Sequence, residues 1–203
     1  MITRIFIFLT ILFAPLFSLK ASPLTLKPGN FRLILSDEAS TPVRLAAETL
    51  CRDFERVMGY RPILENSDLQ KVNPRMIDLV IVNASASHPW VDSTALRPLD
   101  DFESHRVYVD PAARRIYLYG RDMRGTIYAI YTFSEQFLEV PPLWYFASWE
   151  PRIKKRVEIP SDYDYFCKSP QVRYRAWFPN DTDLFTPWRK LSRQNDELWL
   201  ETM

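Results

Sequence analysis

Two short stretches hold the side chains best suited to chemistry. The first is GRDMRGTIYAIYTFSEQ, Gly120 to Gln136, which sets Arg121, Asp122 and Arg124 between two glycines at the mouth of an apolar run. A helix starting at Arg124 would present unpaired backbone N–H groups there, and with Arg121 and Arg124 beside them these form a candidate anion cradle. The same residues also suit capping and packing. Asp122 precedes the first turn and can accept from those N–H groups, Gly125 lets another element approach closely, and the arginines can pair with local acids. The second stretch is RYRAWFPNDTDLF, where a strand-like run from Arg173 to Phe178 leads into Pro179, Asn180, Asp181, Thr182 and Asp183. In a barrel of alternating strands and helices, active residues sit where strands end and loops begin. Asn180, Asp181 and Asp183 would occupy that rim, where they could bind sugar hydroxyls or do acid–base work. Asn and Asp are also the residues of turns and helix N-caps, so a purely local role stands beside the chemical one.

Other chemistries find little support. The two histidines, His88 and His105, lie in different segments and read as loop or strand-edge residues. The chain has no HExxH, CxxC or GxSxG pattern and no glycine-rich phosphate loop, so no metal site, cofactor or histidine-based triad is expected. The formal net charge is +1 with acids and bases interspersed, which argues against a nucleic-acid surface and its usual basic stripe. The two cysteines, Cys51 on the edge of a helical face and Cys167 in a late connector, read either as unrelated buried thiols or as one bridge.

The elements that would position these residues follow from periodicity. MITR is short and basic, Ile5 to Leu19 is almost entirely apolar, and Ala21 supplies a small residue for cleavage. That order is a secretory signal peptide over residues 1–21. Its apolar run is short against the roughly twenty residues of a membrane span, and Pro15 interrupts it. The expectation is a protein secreted or delivered to the periplasm, with no membrane attachment after cleavage. Roughly 180 residues then remain, enough for one domain with a real core. Aromatics make up 14%, with 16 prolines and 4 glycines, a loop-punctuated globular composition.

Phe31 to Ser36 reads as a strand. TPVRLAAETLCRDFERVMG reads as a helix with Thr41 as N-cap, Pro42 in the first turn and Gly59 at the stop. Val43, Ala46, Ala47, Leu50, Phe54 and Val57 fall on one face. MIDLVIVNA is a buried strand, and HRVYVDPAARRIYLYG a hairpin turning at Asp110 to Ala113. A helix from Arg124 to Leu138 follows, with Ile127, Ile130, Tyr131, Phe133, Phe137 and Leu138 on its apolar face and Ala129, Thr132 and Gln136 opposite. This β-α-β-ββ-α order predicts an α/β layer domain with a mixed sheet and helices against it. IKKRVEIP is one further strand candidate. TPWRKLSRQNDELWLETM has helical spacing at Trp188, Leu191 and Leu198 with no terminating signal, as expected of a second domain cut short.

Taken together, the two stretches resemble the N-terminal part of glycoside hydrolase family 115, the xylan α-glucuronidases. That family shows a Gly-x-Asp-x-Arg-Gly-Thr-Ile-Tyr-Gly-Ile-Tyr-x-x-Ser-Glu-Gln pattern, a Trp-rich passage, and a Tyr-Arg-Gly-x-Phe-x-Asn-Asp-Glu strand end. The matching residues here are Gly120, Asp122, Arg124, Gly125, Thr126, Ile127, Tyr128, Ile130, Tyr131 and Ser134 to Gln136, then Trp144, Tyr145, Tyr174, Arg175, Phe178, Asn180 and Asp181. Ala129 and Ala176 stand in place of glycines and Thr182 in place of a glutamate, which marks a divergent relative. Similar domains precede the barrels of family 67 α-glucuronidases and of hexosaminidases.

The resemblance implies a small mixed-sheet accessory domain of the hexosaminidase type over residues 22–147, a connector over 148–170, and the start of a truncated (β/α) barrel over 171–203. It implies a polysaccharide or oligosaccharide substrate, with removal of (4-O-methyl-)glucuronic acid from xylan by an inverting carboxylate pair. Asn180 and Asp181 would line the substrate pocket, with Arg124 a further candidate contact. The catalytic acid and base would come from strands beyond Met203, so the fragment alone should be inactive. The contrasting expectation is a carbohydrate-binding or structural module whose aromatic passage, Trp144 to Trp149, stacks on sugar rings.

Overall fold

The computed structural model describes residues 22–66, 75–85, 91, 94, 96–144 and 150–175. Asn180, Asp181, Asp183, His88, most of the Trp144 to Trp149 passage and the apolar run from Trp177 to Trp188 lie outside these residues.

The architecture is a six-stranded mixed sheet with two helices packed on one face. Four strands run parallel: β2 (Phe31–Leu35), β3 (Leu64–Asn66), β4 (Ile77–Asn83) and β6 (Arg115–Gly120). β5 (His105–Asp110) runs antiparallel to β6, and β8 (Asp164–Cys167) antiparallel to β5. The order across the sheet is β3-β2-β4-β6-β5-β8. A separate two-stranded ribbon joins β1 (Leu24–Leu26) to β7 (Val157–Ile159). The mixed sheet with helices against it is the layer architecture that the sequence predicts.

The period of two divides the core cleanly. Phe31, Leu33, Leu35, Ile77, Leu79, Ile81, Val107, Val109, Ile116 and Leu118 face the helices, joined by the ribbon's Leu26 and Ile159. Ile34, Val80, Val82, Tyr108, Tyr117 and Tyr119 face the other way, beneath Val91, Leu96 and Leu99. Both faces of β4 are therefore covered, which is why Leu79 to Val82 are continuously apolar rather than alternating.

Helix α1 (Thr41–Met58) buries Val43, Ala46, Ala47, Leu50, Phe54 and Val57 as expected. Its start differs. Ser40, not Thr41, is the N-cap, with extended backbone, and Pro42 follows inside the first turn. The fixed φ of Pro42 suits the first turn, where the N–H it lacks would have no intrahelical partner. Gly59 ends the helix at φ 65°, its N–H donating to the Glu55 carbonyl at 2.9 Å, the left-handed stop that glycine supplies.

Helix α2 (Met123–Phe133) runs on as a wider π turn from Ser134 to Leu138. Its buried stripe is Thr126, Ala129, Ile130 and Phe133. Ala129, expected on the outer face, is wholly buried, whereas Tyr131 is only partly covered. The helix is wedged between the sheet and α1, so a small residue is needed where the two helices and the strands converge. Across that contact the Ser134 hydroxyl donates to Asp53 on α1 at 2.6 Å, and Arg56 approaches the same carboxylate at 3.4 Å.

The stretch that reads as a connector, 148–170, supplies β7 and β8. Lys154 fixes its path: its N–H donates to the Val57 carbonyl and its ammonium to the Phe137 carbonyl, each at 2.8 Å. A cation at the carbonyl ends of both helices also complements their dipoles. Of the strand expected over Arg173 to Phe178, Arg173 to Arg175 are irregular, with Arg175 paired to Glu103, and 176–178 lie outside the described residues. Cys51 and Cys167 are both free thiols, and burial pushes the Cys51 thiol up to about 11.

Candidate functional site at the entry of the second helix

The entry of α2 is built by a backbone collision avoided twice. A Cβ on Gly120 would lie 1.9 Å from the Thr126 nitrogen, and one on Gly125 would lie 2.6 Å from the Ser104 carbonyl oxygen. The last residue of β6, the first turn of α2 and the residues leading into β5 thus meet at contact distances open only to glycine. Between the glycines the chain turns through Arg121 and Asp122.

Asp122 holds this turn together. Its carboxylate accepts from the Gly125 N–H at 2.8 Å and from the Glu103 N–H at 2.9 Å. Its carbonyl accepts from both the N–H and the hydroxyl of Thr126. One side chain therefore satisfies helix-start donors and bridges to the loop before β5. We expect Asp122→Ala to lower the unfolding free energy by about 1–2 kcal/mol, the upper range for a lost N-cap. Urea unfolding followed by circular dichroism would measure it, and an unchanged midpoint would remove Asp122 from this role.

The charged side chains converge on Glu103, which is almost fully buried. Arg124 reaches it at 3.2 Å, and Arg175 pairs with its other carboxylate oxygen. Arg124 also donates to the Tyr128 hydroxyl at 2.9 Å. The guanidinium expected as a candidate substrate contact is thus already engaged by an acid and a phenol. Arg121 has an exposed side chain, and its backbone is bound on both sides, to the Ser104 carbonyl and the Ser85 hydroxyl. This geometry supports capping and packing over an anion cradle. Glu103 belongs to neither motif and was not anticipated.

His105, the first residue of β5, sits just behind this cluster, 5% exposed. Its Nε2 lies 3.0 Å from the Thr132 hydroxyl and its Nδ1 3.4 Å from the Glu103 carbonyl. The Tyr128 and Tyr165 rings flank it. Desolvation holds the imidazole below its ordinary 6.5, weakly opposed by the Glu103 carbonyl. The folded state therefore favours the neutral ring. That stabilisation is complete above pH 6.5 and is lost as pH falls through 6.5 toward the folded value. The thermal midpoint should accordingly drop between pH 7.5 and pH 5, and His105→Gln should flatten the drop. An equal drop in the variant would show that other groups control it.

A second concavity lies at the carboxyl ends of β2 and β4, where the connections leave in opposite directions. In open α/β sheets this switch point is the usual place for a ligand. Leu35, Ser36, Ser40, Ile81, Asn83 and Thr126 line it, but its volume is only about 110 Å³. That is well below the roughly 300 Å³ at which ligand pockets begin. Of the aromatic passage only Trp144 is among the described residues, and its ring is covered by the Arg56 guanidinium at 4.5 Å. Among the described residues no group of three or more His, Cys, Asp or Glu side chains could hold a metal ion. No described helix is long and apolar enough to cross a membrane.

Comparison with known proteins gives a fold and little more. No family model matches the sequence, and no curated protein matches it. Among solved structures, a family GH115 4-O-methyl-α-glucuronidase with specificity for decorated arabinogalactans superposes with a TM-score of 0.64 at 23% identity. The match covers 83% of this chain and 21% of that one, so this chain spans about a fifth of the neighbour's length. A β-hexosaminidase from Streptomyces plicatus superposes more loosely, with a TM-score of 0.39 at 16% identity, over 68% of this chain and 23% of that one. The fold is therefore similar to that of part of the GH115 enzyme.

Proposed function

We propose that the chain is the N-terminal part of an exported glycoside hydrolase that removes a uronic acid from a decorated plant polysaccharide. The observation that carries this reading is the 0.64 TM-score over 83% of the chain against the α-glucuronidase. The Gly120 to Gln136 pattern supports it independently, because its residues have defined structural jobs here. Gly120 and Gly125 permit the close approach, Asp122 caps, Thr126 and Ile130 are buried, and Ser134 ties α2 to α1.

In this reading the α/β unit after the signal peptide is a scaffold, and the barrel begins in residues 171–203. Asn180 and Asp181 line the substrate pocket at the end of the first barrel strand. An acid and a base from later strands, on opposite faces of the scissile bond, carry out inversion with one water between them. Among the described residues the buried carboxylates are committed to structure: Asp78 to Arg32, Asp53 to Ser134, and Glu103 to two arginines. On this reading the acid–base pair, and with it hydrolysis, belongs to the barrel rather than to the α/β unit. (4-O-methyl-)Glucuronic acid on xylan or on a decorated arabinogalactan is the substrate class.

The coding sequence immediately after the Met203 codon tests this reading. It should continue, in frame or after an interruption, into alternating strand and helix patterns with carboxylates at strand ends. Unrelated coding sequence at that place would contradict the proposal.

A further inference from the structure

The structure assigns to the loop Asp100 to Glu103 the role of an orienting joint, which fixes the direction in which the chain leaves the α/β unit. The inference rests on the reading that a second domain follows residue 175, but its contacts are visible within the unit itself.

Three contacts run in register between this loop and the departing chain. The Ser169 N–H donates to the Asp100 carboxylate at 3.3 Å. The Arg173 guanidinium lies over the Phe102 ring at 5.3 Å. Arg175 pairs with Glu103. A segment with no strand or helix of its own is thus held at three successive points by three residues of one short loop, Asp100, Phe102 and Glu103.

Glu103 couples that hold to the rest of the fold. Its backbone takes φ 58°, the left-handed region in which a residue with a long side chain is strained. Every polar group it has is used. Its N–H goes to Asp122 and its carbonyl lies near His105, while one carboxylate oxygen meets Arg124 on α2 and the other meets Arg175. The strained backbone places one buried carboxylate between two arginines, one on the helix and one on the exit. Asp122 and Arg124 come from the first sequence motif and Arg175 from the second. Glu103, outside both, is the residue on which the two motifs meet. Packing alone would not require an acid in a left-handed conformation here, whereas a joint between two charged elements does.

Glu103→Asn separates the two effects, because asparagine tolerates the left-handed backbone but is too short to span both arginines. In the full chain, trypsin cleavage after Arg173 should become roughly tenfold faster, the equivalent of one lost charge-assisted hydrogen bond. The thermal midpoint should hold steady or rise as strain is relieved. Arg175→Gln should accelerate the same cleavage, and the double variant should add nothing further, since either change breaks the same link. Unchanged cleavage after Arg173 in both single variants would overturn the joint. So would acceleration matched by a fall in the thermal midpoint, which would mark Glu103 as a residue of general stability. These readouts do not depend on what lies beyond Arg175, so the joint can fail while the glycosidase reading stands, and the reverse.

Discussion

Replacing Gly120 with alanine should destabilise the protein by more than about 3 kcal/mol, beyond the ordinary range for overpacking. The reason is the identity of the obstructing atoms. The added Cβ would lie 1.9 Å from the Thr126 nitrogen, 2.3 Å from the Gly125 carbonyl carbon and 2.4 Å from the Thr126 Cα. All three are backbone in the first turn of α2, so no rotamer change relieves them. Gly120 itself is fixed at the end of β6, opposite Asn83 on one side and His105 on the other. Relief would require α2 to lift from the sheet, uncovering Thr126, Ala129, Ile130 and Phe133 together. Against a total stability of about 5–15 kcal/mol for a domain, that loss approaches unfolding. Gly59→Ala is the matched control. It has nothing within 4 Å of the added carbon and only the left-handed backbone to contend with, which costs about 1–2 kcal/mol. Urea unfolding of both variants should rank them in that order. Equal losses would show that the close approach at Gly120 contributes nothing special.

Arg32→Ala should cost about 3–5 kcal/mol, the penalty for leaving a buried acid without its partner. Arg32 on β2 meets Asp78 on β4 at 2.7 Å, with side chains 9% and 7% exposed. Glu65 on β3 meets the same guanidinium at 2.5 Å from a more open position. One cation thus ties three parallel strands together on the face away from the helices. Replacing the pair by Arg32→Met with Asp78→Leu should recover most of the loss, because apolar residues of similar volume remove both charges at once. A double variant as unstable as the single would show that packing, rather than charge, sets the cost.

The parts of the fold legible in the sequence were those with a long local period. Helix α1 showed its face over eighteen residues, and β4 its double burial, because each pattern is complete within one segment. The hairpin was legible because Asp110 and Pro111 mark its turn, and Asp110 accepts from Ala112 and Ala113 as such turns do. Strand β7 falls within the IKKRVEIP candidate, whereas β1, β3 and β8, of three or four residues each, were not visible. Their strand character comes from their neighbours, which sequence periodicity does not report.

The α2 entry was legible in part. Its glycines and Asp122 announced a tight capped start, yet the same residues also fit an anion site. The deciding residue, Glu103, contacts partners 21 and 72 positions away in sequence, and one acid among several in DDFESHRV carries no local sign of them. The inward turn of Ala129 was missed for a related reason: a helix clamped between a sheet and another helix buries a wider arc than a simple amphipathic pattern predicts.

The central claim is that this α/β unit braces a glycosidase whose reacting groups lie beyond it. Release of free uronic acid from 4-O-methylglucuronoxylan and from decorated arabinogalactan tests it most directly. The assay compares residues 1–203 with the polypeptide extended through the downstream coding sequence. The account predicts no release by residues 1–203 and turnover by the extended chain. Turnover by residues 1–203 alone, falling when Arg124 is replaced by alanine, would contradict it and would restore the α2 entry as a ligand site.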